Sequence, residues 1–179
     1  MLPHLLTYAA KVCDLLAVHL QGDAQFFMHP SLRKILGPAC APDISAVLGK
    51  VAQLRAAVDK WMKQSADFDG AKLVAALAFG DEVAGKMKTQ VMAVDSKRLA
   101  AGMKEDELKQ MMQANIEWFA SQSDIVFLIP FLLSHHDRAT STHWPPITSE
   151  GRAALPGLVQ QYARCWEMAP FDCVTGKKK

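Results

Sequence analysis

The segment "FLLSHHDRATSTHWPPIT", residues 131–148, carries three of the chain's six histidines, His135, His136 and His143. Imidazoles at that density are metal ligands by type, and with Asp137 they make a donor set of the size zinc takes. Adjacent residues on a regular helix point about 100° apart, so His135 and His136 share one ion only from a loop. A metal held in a macrocycle needs less, since a single axial nitrogen completes its coordination. The third reading is a solvated connector, with Ser134 or Asp137 ending the apolar helix before it. The polar run "DRATST", Pro145 and Pro146, and the lack of a matching ligand pair elsewhere in the chain favour it.

Other chemistries are poorly supplied. There is no GxSxG elbow for a nucleophile, no GxxxxGK[ST] or GxGxxG loop for phosphates, and no ExxH pair of the di-iron kind. Cys13, Cys40, Cys165 and Cys173 form no CxxC pair, which argues against a zinc cluster. In an oxidising compartment Cys165 and Cys173 are spaced to close a small disulfide loop around "EMAPFD"; buried free thiols are the alternative. Of the nine methionines, Met62, Met87, Met111 and Met112 fall on the expected inward faces of helices. Thioethers there fill irregular core gaps or form a wall against large, flat apolar ligands.

The elements that must position these residues are helical. Half of the 179 residues are hydrophobic and 21% are charged, which fits one globular unit, residues 1–179, with a substantial core. A net charge of +2 lacks the electrostatic footprint of a nucleic-acid binder. "IVFLIPFLL" is about half the roughly 20 residues of a membrane span and carries Pro130, so the chain is expected to be soluble or peripheral. The opening residues lack a basic region and a small-residue cleavage site, and do not read as a signal peptide.

Apolar spacings of three and four predict a first helix over about 4–21, ended by Gly22 and Asp23. A loop with one short helical turn follows, then a helix capped by Asp43 with Val47, Val51, Leu54, Val58 and Trp61 as its buried stripe. Residues 69–94 read as one helix of about six turns with Leu73, Leu77, Gly80, Ala84, Met87 and Val91 along one face. Gly80 and Gly85 would each cost it about 1 kcal/mol relative to alanine, so something is expected to approach the backbone there. A connector around Asp95 leads to a helix with a stripe of Leu108, Met111 or Met112, Asn115, Trp118 and Phe119. Asp124 then caps an all-apolar helix, expected to be buried all round and kinked or split at Pro130. Pro156 suits the first turn of a last helix that faces inward with Leu158 or Val159, Tyr162, Cys165 and Trp166. The expected fold is all-α, with six or seven helices.

The segment Asp59–Met87, "DKWMKQSADFDGAKLVAALAFGDEVAGKM", resembles the helix pair in each half of the peridinin-chlorophyll proteins, the water-soluble light-harvesting proteins of dinoflagellates. Asp59, Lys60, Ala66, Asp69, Gly70, Leu73, Ala75, Ala76, Gly85 and Met87 stand at the family's places without a gap. "YAAKVCDLLAVHLQGDAQFFMHP" is similar to its opening helix with a gap, and "ANIEWFASQSDIVFLIPFLLS" to its closing helices in pattern only. The resemblance spans residues 1–134, which match a family half-domain in size. Residues 135–179, with the histidine loop and the last helix, form a C-terminal extension without a counterpart.

The resemblance implies a non-enzymatic accessory subunit of a chloroplast light-harvesting assembly, thylakoid-associated on the lumenal side and peripheral to the membrane. Its partners would be a photosystem core or membrane antenna proteins, and its cofactors chlorophyll a and a peridinin-type carotenoid. The family's His-His pair, one histidine of which holds the chlorophyll magnesium through a water, is replaced here by Gly80 and Asp81. Gly80 leaves room at that place and Asp81 is suited to a magnesium-bound water. Met87 on the same helix, and an axial nitrogen from His135 or His136, complete the candidate pigment contacts. Two alternatives stand beside this: a purely structural helical subunit of a large membrane-associated complex, and a metal protein using His135, His136 and His143.

Overall fold

A computed structural model describes residues 1–140, 145 and 147–179. Among them are nine α-helices and no strand beyond one isolated bridge, Phe171 with Lys178. The chain is all-α, as its periodicity predicts.

The spine is α1, Leu2–Phe27, about 39 Å long at 1.5 Å per residue. It runs straight through Gly22, where the sequence predicts its end. Gly22 is buried, and a Cβ there would lie 2.8 Å from Cζ3 of Trp118. The missing side chain serves a close approach by another helix, and the core contacts on either side carry α1 past its cost of about 1 kcal/mol.

After α2, Pro30–Leu36, and a 3₁₀ turn at Pro38–Cys40, the second long helix is α3, Ser45–Lys63, which packs along α1. Its buried residues are Val47, Val51, Leu54, Val58 and Trp61, the stripe that the spacing predicts. They meet Leu6, Ala10, Cys13 and Leu20 of α1 and Leu73, Phe79 and Val83 in the largest core cluster. The Asp43 carboxylate accepts the Ser45 backbone N–H at 2.9 Å at the start of α3. Arg55 on the rim donates to Asp14 of α1 at 2.8 Å and also to Asp59.

The expected six-turn helix is two helices, α4 at Gly70–Ala76 and α5 at Gly80–Ala93. The Asp69 carboxylate caps α4, accepting from Ala71 and Lys72. The break at Leu77–Phe79 turns Phe79 inward to the core, while Leu77 stays half exposed. The region around Asp95 holds a helix that the sequence does not predict, α6 at Ser96–Gly102, capped by Asp95. Then come α7, Glu105–Gln122, and α8, Ile125–His135, bent 114° from each other.

No helix among the described residues is long and apolar enough to cross a membrane alone, although the bent pairs α7 with α8 and α2 with α3 reach that composition together. α8 continues through Pro130 as one element, so the expected split is absent. It buries Phe127, Leu128, Pro130, Leu133 and Ser134 and leaves Ile125 partly outside, so it is not buried all round. The last helix, α9, spans Ser149–Gln161 and is capped by the Thr148 hydroxyl. Pro156 lies in its interior rather than in its first turn, and Leu155 is its buried residue. Cys165 and Trp166 belong to a following 3₁₀ turn. Together with Cys173 they share a cluster with Leu15 of α1 and Phe127 and Leu128 of α8, so the C-terminal extension completes a core begun by the first helix.

Candidate functional site

The sequence-predicted pigment residues divide between two places. Gly80 and Asp81 open α5 and are exposed, and Met87, two turns on, is half-buried against the main cluster. Nothing lies within 4 Å of where a Cβ would stand on Gly80 or Gly85, so the expected close approach to this backbone is absent. Both glycines face open space. Of the four methionines expected inside, Met87 and Met111 are half-buried, while Met62 and Met112 are about half exposed. Leu77 and Val91, expected on the inner stripe, also face outward. The reason is the break: a change of direction at Leu77–Phe79 resets the helical phase, so a face continuous in the sequence is not continuous in the fold.

His135 stands at the other place, the last turn of α8. Its Nδ1 faces the Phe131 carbonyl oxygen at 2.9 Å, a pure acceptor, so Nδ1 carries the proton. Nε2 then accepts from the Tyr8 hydroxyl at 2.6 Å. The ring stacks on Phe131 with centroids 4.2 Å apart. Burial pushes the Tyr8 phenol up to about 12, with the nearby Cys165 and Cys173 adding to it, which keeps the hydroxyl a donor. Burial also lowers the His135 pKa, partly offset by the hydrogen bond to the Phe131 carbonyl and reinforced by Lys179. His135 is therefore a neutral imidazole with both nitrogens engaged, and axial ligation would require Nε2 to give up Tyr8. His136 is half-buried at the end of α8, and His143 lies outside the described residues. Among the described residues no three His, Cys, Asp or Glu side chains gather into a metal site. Cys165 and Cys173 are both buried free thiols, the second of the two readings that the sequence leaves open, and burial is the largest influence raising the pKa of each.

What the sequence does not announce is how far the carboxylate at the head of α8 reaches. Asp124 Oδ1 accepts the Val126 backbone N–H at 3.1 Å, the expected cap. Its Oδ2 also accepts from Lys11 Nζ at 2.6 Å and from the Tyr162 hydroxyl at 2.7 Å. Burial would raise its pKa, but these hydrogen bonds and the Lys11 charge outweigh that and hold it below the usual carboxylate range. One side chain thus ties α1, α8 and the end of α9 together. Lys11 and Asp124 are 113 residues apart, and no spacing rule reaches that far.

Among the described residues, the surface grooves with the size of small-molecule sites include two that bear on the sequence reading. One, of about 410 Å³, lies between α3 and the α4–α5 break and includes Leu54, Ala75, Phe79 and Glu82. The other, of about 380 Å³, lies between the end of α1 and α7. Outward-facing apolar side chains complete the picture: Val74 is 72% exposed, Val91 68%, Met92 77% and Ile116 56%. Searched against family models, curated proteins and solved structures, the chain matches none of them.

Proposed function

We propose that this chain is a non-enzymatic accessory subunit of a chloroplast light-harvesting assembly, peripheral to the thylakoid membrane and favoured on its lumenal side. It docks on a photosystem core or its membrane antennae and contacts chlorophyll and carotenoid at that interface rather than enclosing them. The observation that carries the reading is the placement of apolar side chains on the family-like segment and the rest of its second helix. Val74 and Leu77 on the way out of α4, and Val91 and Met92 at the end of α5, are left in solvent. Apolar side chains left exposed at both ends of this stretch are available to a partner's surface. The peridinin-chlorophyll-like pattern of Asp59–Met87 supplies the class of assembly.

The second reading, a structural subunit of a large complex without pigment, draws on Gly80 and Asp81. They stand open in place of the family's histidines, and the imidazole of His135 is already committed to Tyr8. An absorption spectrum with pigment extraction, taken on protein isolated from its native source, separates the two. Chlorophyll and carotenoid bands at a fixed ratio to protein are the expected result. A colourless protein that still travels with a complex selects the structural subunit, and a colourless protein free of any complex overturns both.

A further inference from the structure

The groove between α1 and α7 has a chemistry that the docking role does not use. Phe26, Met111 and Trp118 give it apolar walls. Gln25, His29, Gln110 and Asn115 supply its polar atoms, and none of these four side chains hydrogen-bonds to any described residue. No Asp, Glu, Lys or Arg lines it. Its volume of about 380 Å³ falls within the range of small-molecule sites, roughly 300–1,000 Å³.

The wall is fixed rather than incidental. The six-membered ring of Trp118 lies on Gly22, where a Cβ would come within 2.8 Å of Cζ3 and 3.3 Å of Cε3. Any larger residue at 22 would push the indole out. The helix glycine, otherwise a cost to α1, seats the aromatic wall at contact distance.

We propose that this groove binds a neutral, flat, oxygen-substituted ring system of two or three fused rings. Flatness follows from the indole and phenyl walls, against which a conjugated ring stacks. Neutrality follows from the lining, which offers a charged ligand no counter-charge. Oxygen substituents follow from three carboxamides and an imidazole, which can donate to a ring carbonyl or accept from a ring hydroxyl in exchange for water. Binding alone is meant, with no covalent or redox step.

The probe is 2,3-dimethyl-1,4-naphthoquinone, whose methyl groups block addition of cysteine thiols, titrated against the full chain while tryptophan fluorescence is read. Saturable quenching with a Kd on the order of 100 µM is expected for a ligand of this size. Trp118→Phe should remove most of the quenching. Asn115→Leu, at a half-exposed position that should not impair folding, should weaken binding about tenfold, the loss of one hydrogen bond. Gly22→Ala should weaken it without deleting any lining group, and an anthraquinone sulfonate should bind more weakly than the neutral quinone. Circular dichroism confirms that each variant is folded. Non-saturable quenching, unchanged affinity in Asn115→Leu, or a sulfonate that binds as tightly would each overturn the assignment.

Discussion

The cluster around α8 and the α4–α5 segment are built in opposite ways. At the first, an apolar helix is locked by polar groups that are all engaged: Asp124 uses both oxygens, Tyr8 and His135 pair, and the Trp166 indole N–H donates to the Val159 carbonyl at 3.0 Å. At the second, a helix breaks, its glycines face open space, and apolar side chains stand in solvent. The stretch around the α4–α5 break is thus loosely committed, while the α8 cluster, which the C-terminal residues Tyr162, Cys165, Trp166 and Cys173 complete, is tightly committed. A surface kept for a partner is expected to be incomplete until the partner arrives, whereas a core must be complete in the chain itself.

Substitutions at the two places should therefore differ sharply. Phe127 is fully buried, with ring contacts to Tyr8, Phe131, Tyr162 and Trp166. Phe127→Ala should cost about 3–5 kcal/mol in urea unfolding, the range for emptying a large aromatic site. Next comes Asp124→Ala, which removes the α8 cap and the partner of Lys11 and Tyr162 and should cost about 2 kcal/mol. Asp124→Asn keeps a capping oxygen and should recover part of that.

Acid should act on the same cluster in two steps. The folded pKa of His135 lies below its unfolded value, so as pH falls below about 6.5 the unfolded chain takes up a proton that the folded chain refuses. Stability should fall through that window, and His135→Phe should remove this part of the pH dependence. The folded pKa of Asp124 is also lowered, so its contribution persists above the unfolded carboxylate range, near 3.9, and is lost as pH falls through the folded value. Melting temperatures from pH 8 to pH 2, for the parent chain and for Asp124→Asn, resolve the two steps.

The smallest effects belong to α5. Gly85→Ala should stabilise the chain by about 0.5–1 kcal/mol, since the new methyl group meets nothing and the helix gains propensity. Gly22→Ala, the same change in α1, should destabilise because Trp118 stands in the way. Equal signs at the two glycines would break the comparison.

The all-α class and the α3 stripe were legible because they rest on periodicity, which survives wherever a helix is unbroken. The cap at Asp124 is a local event and was legible as one; Asp43 stands one residue before the N-cap of α3, Ile44, and the caps at Asp69 and Asp95 were not read, Asp95 being legible only as a connector. Gly22 misled because a glycine that ends a helix and one that admits a neighbour look alike in one dimension. The phase reset at Leu77–Phe79 misplaced Leu77 and Val91 for a related reason: no proline or turn motif marks the break. Asp124 was legible as a cap, yet its bonds to Lys11 and Tyr162 join residues distant in sequence, which no local pattern encodes. The engagement of His135 by Tyr8 was hidden for the same reason.

The most direct test of a docked accessory subunit is to solubilise photosynthetic membranes of the native source gently, separate the assemblies on a gradient, and follow this chain against chlorophyll absorbance. Co-migration with a photosystem–antenna fraction, at constant stoichiometry across repeated separations, is the expected result. Migration as a free protein of about 19.7 kDa, apart from every chlorophyll-bearing fraction, would contradict it.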